Sequence, residues 1–462
     1  EQIKYKKSMV SKVSSLGVNG LNVYSADIEV DIQRGLPALS VIGLGDAQVK
    51  ESKDRVRSAI KNSGYDFPSK RITINLAPAN IKKEGTHFDL AIALALLNSS
   101  NQVRLDLSSY IILGELSLEG NVRDVKGVFP MAMEAKKLNK KLVVPLGNAR
   151  EAALVRGLKV YPLGSITEAV AFLSGTVDIR PFVLPGSYFS SQKPVYDVDF
   201  SDVKGQVFAK RAMEVAISGM HNIIMIGPPG VGKTMLARRI PTILPDMSSD
   251  EVLDVTKIYS VCGLLNSSEP LVRRRPFRSP HHTASGISLV GGGTNIKPGE
   301  ITLAHNGVLF LDELPEFSRD SLESLRQPLE DGFVSISRAA KHLQFPSRFL
   351  LAAAMNPCPC GYFGSQDKVC HCSSYQIQKY RRKISGPLLD RIDIHIELQG
   401  VKTDDLMSQT AVSESSEEIR KRVEDARSIQ NDRFSKDKIF FNSQMSHKQI
   451  RKYCILTEDA KT

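Results

Sequence analysis

No apolar stretch of this 462-residue sequence is long enough to cross a bilayer. The longest, "LAIALALL" at 90 to 97, falls well short of the roughly 20 residues a spanning helix needs. No signal peptide is visible, and no internal repeat. Cysteine is sparse, with four of the six residues bunched between 358 and 372. In a chain of this size that is not the framework of a secreted disulfide protein, so a reducing cytoplasm is expected and a membrane is not. Hydrophobic residues at 42% and charged residues at 24% are ordinary for a soluble globular protein. The length exceeds one ordinary core and implies two or three domains. A formal charge of +11 is compatible with a polyanionic partner without requiring one. The sequence opens on Glu1, so it is read either as a fragment or as beginning naturally at Met9.

Strand-like and helix-like segments alternate from 9 to 175. "SADIEVDIQ" and "RITINLAPA" alternate with period two, whereas "AQVKESKDRVRSAIKNSG" and "HFDLAIALALLNSS" read as helices. Residues 176–198 are rich in Pro, Ser and Gly and read as a linker. A second α/β pattern runs from 199 to 400, with strands at "NIIMIG", "GVLFLDE", "FLLAAAM" and "IDIHIEL". Residues 401–462 read as helical and polar.

The chemistry is concentrated in the second pattern. "GPPGVGKT", residues Gly227, Pro228, Pro229, Gly230, Val231, Gly232, Lys233 and Thr234, follows an apolar strand and opens a helix. Such a loop turns its N–H groups inward around phosphates, and the helix N-terminus adds partial positive charge. Lys233 is expected to reach the β- and γ-phosphates of ATP, and Thr234 to ligate Mg²⁺. "NGVLFLDELPEF" supplies the matching acids, Asp312 for the Mg²⁺ shell and Glu313 to polarise an attacking water. Cys358, Cys360, Cys370 and Cys372 offer soft thiolates in two close pairs, a set that suits a structural Zn²⁺. The spacing departs from the usual Cys-x2-Cys. His371 is an alternative ligand, and buried or redox cysteines are the competing reading.

The order of these elements resembles the AAA+ superfamily, and "DFSDVKGQ" at 199 to 206 is similar to the segment that packs around adenine there. The resemblance implies that Asn356, at the end of "LLAAAMNP", is a sensor of the γ-phosphate, and that Arg391 in "SGPLLDRIDIHIEL" reaches a neighbour's nucleotide. A local ion pair with Asp390 or Asp393 is the plain alternative for Arg391. "RSPHHTASGISLVGGGTNIKPGEITLAHNGVLFLDELPEF", "ILGELSLEGNVRDVKGV" and "NPCPCGYFG" closely resemble the magnesium-chelatase-like ComM (YifB) family, over about residues 9 to 450.

That resemblance implies a homo-hexameric ATPase acting in DNA branch migration during natural transformation. It also implies a Lon-protease-like, ribosomal-protein-like α/β domain ahead of a P-loop AAA+ domain with a helix-2 insertion and a partial helical lid. The insertion is read as His281 to Lys297. His281 and His282 have no acidic or cysteine partner nearby in sequence, so packing or hydrogen bonding is their expected role. A hairpin in "FVSISRAAKHLQFPSRFLL" is expected to carry Arg338 and Lys341 toward DNA in a pore, joined by Arg381 and Arg382 beyond the cysteines. The run "RRRPFR" is either a basic groove or an exposed loop. Proteolysis is not expected, since the positions of the Ser–Lys dyad hold His87 and Phe129, with Thr86 and Lys126 displaced from them. The lid's sensor-2 arginine is expected beyond Thr462, since Arg451 does not match its motif. A protein-remodelling motor like that of magnesium chelatase is the rival to DNA translocation.

Overall fold

Each alternating segment of the sequence becomes a strand or helix in the computed structural model, which describes residues 11–189, 194–293, 296–338, 341–365, 368–400, 413–437 and 439–461. Met9 and residues 401–412 of the expected lid lie outside the described residues. The chain divides into two units. One takes the described residues of 1–191 together with 256–272, the other those of 192–255 and 273–462.

The first unit is built on a seven-stranded mixed sheet. Its order is Ala38–Ile42, Arg71–Ala77, Asn22–Gln33, Ser11–Asn19, Tyr110–Ile112, Lys141–Pro145 and Val160–Leu163. Ser11–Asn19 and Asn22–Gln33 form an antiparallel hairpin, in register from Ser11↔Val30 to Asn19↔Asn22. Period two decides its faces: Ala26, Ile28 and Val30 are buried, while Asp27, Glu29 and Asp31 face the other way. Helix Ala47–Asn62 starts where the Asp46 carboxylate accepts from Val49 N at 2.8 Å. Helix Asp89–Ser99 is apolar almost all round and is buried from Asp89 to Leu97, as a helix with no polar face must be. Within the expected linker, Phe182 N donates to Val160 O at 2.8 Å and Leu184 is buried. The stretch 256–272 contributes Ser260, whose hydroxyl donates to the buried Glu151 at 2.6 Å.

The second unit holds five parallel strands in the order Phe277–Arg278, Val308–Leu311, Leu350–Met355, Ile223–Ile226, Ile394–Glu397. Residues of Leu350–Met355 are buried without exception, the signature of a central parallel strand covered on both faces. Its place between Ile223–Ile226 and Val308–Leu311 matters for the site, because both neighbouring strands and the central one end on the same sheet edge. Helix Ser416–Phe434 is anchored at its start by the "DFSDVKGQ" segment. The Asp199 carboxylate accepts from Ser416 N at 3.1 Å, and Phe200 N donates to the Ser416 hydroxyl at 2.8 Å. Among the described residues no helix is long and apolar enough to cross a membrane.

Candidate active site

Ile223–Ile226 ends at Gly227, and the loop to Gly232 delivers Lys233 as the first residue of helix Lys233–Ile243. Gly232 has φ 91°, a left-handed conformation that a side chain at this turn would strain. Lys233 Nζ donates to Gly227 O at 2.6 Å, to Pro228 O at 2.9 Å and to Asn356 Oδ1 at 3.1 Å. Burial holds its ammonium below the usual lysine range, opposed by Asp312 and Glu313. The Thr234 hydroxyl donates to Asp312 Oδ2 at 2.7 Å, and Asp312 Oδ1 accepts from Glu313 N at 3.0 Å. Lys233, Thr234, Asp312 and Asn356 therefore converge, drawn together from three parallel strands that end side by side.

Glu313 sits at φ 53°, a backbone region disfavoured for a side-chain-bearing residue, just past the acidic strand. Its carboxylate lies 3.0 Å from His282 Nδ1. The sequence shows no acidic partner near the histidine pair, but the fold supplies one. His281 instead contacts the Thr283 hydroxyl, Nδ1 to Oγ1 at 2.9 Å.

The glycine-rich loop opens into a cavity of about 430 Å³ lined by Gln206, Pro229, Gly232 and Met235 and, from the cysteine segment, by Tyr362 and Lys368. Gln206 reaches across it, donating to Gln399 O at 2.9 Å. Tyr362 and Lys368 carry no signal in the sequence that marks them as lining this cavity. Only the path of the loop after Cys360 brings them there.

The cysteine sulfurs of 358, 360, 370 and 372 all lie within 4.8 Å of one another. Cys358 is 3.4 Å from Cys360 and 3.7 Å from Cys370, and Cys360 is 3.6 Å from Cys370. Four sulfurs bonded at 2.3 Å to a tetrahedral Zn²⁺ stand about 3.8 Å apart, so the set fits that ion. Phe363 N donates to Cys358 Sγ at 3.3 Å and Cys372 N to Cys370 Sγ at 3.4 Å, the backbone bonds that steady thiolates. A backbone hydrogen bond from Tyr362 pulls Cys360 down to about 6. A similar bond from Cys372 favours the Cys370 thiolate, but desolvation and the neighbouring Cys360 and Cys358 outweigh it and push that thiol up to about 12. Thiols so crowded cannot all ionise without a cation among them.

Other expected site residues scatter. Arg391 is 27% exposed and is ion-paired with Glu330, neither Asp390 nor Asp393 being its partner, while Asp393 takes His221 at 2.9 Å. Arg381 Nε donates to Pro357 O at 3.4 Å and its guanidinium lies 5.7 Å from the Phe363 ring centre, so it braces the cysteine knot. Arg382 lines a separate groove of about 520 Å³ with Arg319, Tyr375 and Lys379. Strands Phe333–Arg338 and Lys341–Pro346 form the expected hairpin, with Arg338 opposite Lys341, but the side chains of these two lie outside the described ones. In "RRRPFR", Arg275 is held by Pro245 O at 2.6 Å and Asn306 O at 2.8 Å, and Arg278 forks onto Glu300 at 2.6 and 2.8 Å. These two arginines support the fold and are not part of an open basic groove.

In the first unit, His87 and Phe129 are buried, and burial lowers His87 to about 4. The Thr86 hydroxyl donates to Glu115, and the Lys126 side chain lies against Gly263.

Comparison with known proteins assigns the chain as a whole. Residues 199–406 match the family profile "Magnesium chelatase, subunit ChlI", residues 28–148 match "Subunit ChlI of Mg-chelatase", and residues 413–462 match the ChlI C-terminal family. The protein named YifB of Escherichia coli, itself described as uncharacterized, is 44% identical over 458 residues, covering 98% of this chain and 87% of its own. Competence protein ComM of Haemophilus influenzae is 42% identical over 457 residues, again 98% and 87%. A shorter match, 29% identical over 151 residues, 30% of this chain and 26% of the relative, links it to Lon protease 2 of Bacillus subtilis. With the phosphate loop, paired acids and parallel sheet in place, this near full-length identity means that the chain belongs to the magnesium-chelatase-like ComM/YifB family.

Proposed function

We propose that this protein is a ring-forming AAA+ ATPase that couples ATP hydrolysis to the movement of branched or single-stranded DNA. The observation that carries the ATPase part is the convergence of Lys233, Thr234, Asp312 and Asn356 at one sheet edge. The competence name of the Haemophilus relative and the +11 charge support DNA as the polymer moved.

In the proposed cycle, the triphosphate substrate takes over Lys233 Nζ from the carbonyls of Gly227 and Pro228. Asn356, already within hydrogen-bond reach of Lys233, senses the terminal phosphate through its amide. Mg²⁺, held by Thr234 and Asp312, would neutralise phosphate charge. Glu313 leaves His282 and accepts a proton from the attacking water. Arg391 exchanges Glu330 for the nucleotide of an adjoining protomer in a hexamer. Arg338, Lys341 and Arg382 meet the DNA backbone, and Arg381 supports them from the knot. The knot takes a structural Zn²⁺, the chain divides functionally into a Lon-like domain at 9–175, an AAA+ core at 199–400 and a lid from 401, and the protein works in the cytoplasm.

The test is steady-state ATPase with and without a four-way DNA junction, on the wild type and on Glu313→Gln. The expected result is junction-stimulated turnover that the variant loses by about 10²-fold or more while still binding ATP. A rate indifferent to DNA favours the second reading, a protein-remodelling motor, which the match of three chain segments to magnesium-chelatase families supports.

A further inference from the structure

The four-cysteine knot does more than close a loop behind Asn356. It begins at Cys358, three residues beyond the end of strand Leu350–Met355 and two beyond Asn356, and its first turn brings Gly361 onto the phosphate loop. A Cβ at Gly361 would stand 2.8 Å from Pro229 Cδ and 2.9 Å from Pro229 Cγ, so the knot's backbone is packed directly on the loop expected to cradle phosphates. The next residue, Tyr362, enters the cavity over that loop, and Lys368 enters it from the knot's returning arm. Lys368 Nζ lies 5.1 Å from the Tyr362 ring centre, which keeps an aromatic face and a cation side by side within the cavity.

These two side chains are held from behind by the sulfurs. Tyr362 follows Cys360 by two positions in the chain. Phe363 N bonds Cys358, and Lys368 precedes Cys370 by two. Helix Ser374–Arg381, which follows the second pair, closes the circuit through Arg381, whose Nε donates to Pro357 O at 3.4 Å. Among the described residues neither Tyr362 nor Lys368 lies in a helix or strand, so their position follows the spacing of the four sulfurs.

We propose that the knot is a metal-set wall of the nucleotide site: a thiophilic divalent cation bound by Cys358, Cys360, Cys370 and Cys372 holds Tyr362 and Lys368 against the nucleoside triphosphate, so that nucleotide affinity depends on occupancy of the knot. This rests on the reading of the phosphate loop as an ATP site and adds a second condition to it. The Tyr362 ring offers a stacking or packing face, and Lys368 supplies a cation besides Lys233 to a ligand carrying several negative charges. Loss of the cation removes the one group that ties the four sulfurs together, and the wall loosens from the loop.

The experiment measures affinity for a fluorescent ATP analogue on the full chain in excess Mg²⁺, before and after a zinc-selective chelator, with zinc content assayed and helix content followed by circular dichroism. The expected result is about one equivalent of zinc per chain and a Kd raised about tenfold or more on its removal, with bulk helix content retained. Tyr362→Ala is expected to raise Kd comparably in the zinc-loaded protein, Tyr362→Phe to restore it, and zinc removal from Tyr362→Ala to add little further, since both changes act on one wall. An unchanged Kd after zinc loss, with binding still abolished by Lys233→Ala, overturns the proposal and leaves the ATP site standing. Absence of a metal in the purified protein, or equal Kd values for wild type and Tyr362→Ala, also overturns it. If the zinc-loaded wild type binds no nucleotide, the ATP reading itself falls and the proposal with it.

Discussion

His282 and Glu313 form the pair whose separation the proposed chemistry requires, since a carboxylate 3.0 Å from an imidazole is not aimed at water. Both are partly exposed, at 31% and 54%, so the pair is expected to contribute no more than about 1 kcal/mol. His282→Ala should therefore raise DNA-free ATPase by about two- to fivefold without changing nucleotide Kd. A loss as deep as that of Glu313→Gln would instead put the histidine in the chemistry. A second residue-scale expectation concerns acid. His305 is 5% exposed and accepts from Arg348 N through Nδ1 at 3.0 Å, and burial chiefly, with Arg348, lowers it to about 4. The unfolded chain takes up this proton near pH 6.5, before the folded one does. The stabilisation is complete above that pH and is lost as pH falls toward 4, by an amount on the order of 3 kcal/mol. His87 behaves alike in the first unit. His305→Asn keeps an acceptor for Arg348 N and cannot protonate in this range. Its melting temperature should fall less than that of the wild type between pH 7.5 and 5, and parallel curves would contradict the assignment.

At the scale of elements, the short "DFSDVKGQ" segment acts as a clasp. The Asp199 carboxylate caps its own turn by accepting from Ser201 N at 2.8 Å, and accepts from Ser416 N at the start of helix Ser416–Phe434. The Ser416 hydroxyl in turn meets the Thr242 hydroxyl at 2.8 Å at the end of the phosphate-loop helix. Asp199→Ala is expected to cost about 1–2 kcal/mol of stability, read as a lower urea midpoint with unchanged slope. An unchanged midpoint would mean that the helix start is held by Ser416 and Thr242 alone. Strand and helix segments of this kind were largely legible in the sequence, because apolar period two and long apolar runs are local properties. The edge strand Phe277–Arg278 was not legible. It has two residues, and Gly307 lets its neighbour approach so closely that a Cβ there would lie 2.1 Å from Pro276 O, a long-range contact without a local pattern.

For the molecule as a whole, Arg391 is the residue whose role depends on assembly. Within one chain it is tied to Glu330, and in the proposed ring it serves another protomer's site. Arg391→Ala should lose about 10³-fold in ATPase while binding nucleotide normally. Mixing it with Glu313→Gln protomers should restore part of the activity, because such rings contain sites with both groups intact. No recovery on mixing, with mixed rings verified, would place Arg391 in its own chain's machinery or in the fold. By itself the sequence determined the glycine-rich loop, the paired acids, the four closely spaced cysteines and the family, since each is a run of residue types legible from near neighbours along the chain. Only the tertiary structure decided that Asn356 meets Lys233, that Glu330 holds Arg391, that His282 faces Glu313, and that Tyr362 and Lys368 line the cavity over the phosphate loop. Those contacts join residues far apart in sequence, and they arise from the order in which parallel strands assemble and the path a loop takes between them, neither of which leaves a periodicity to read.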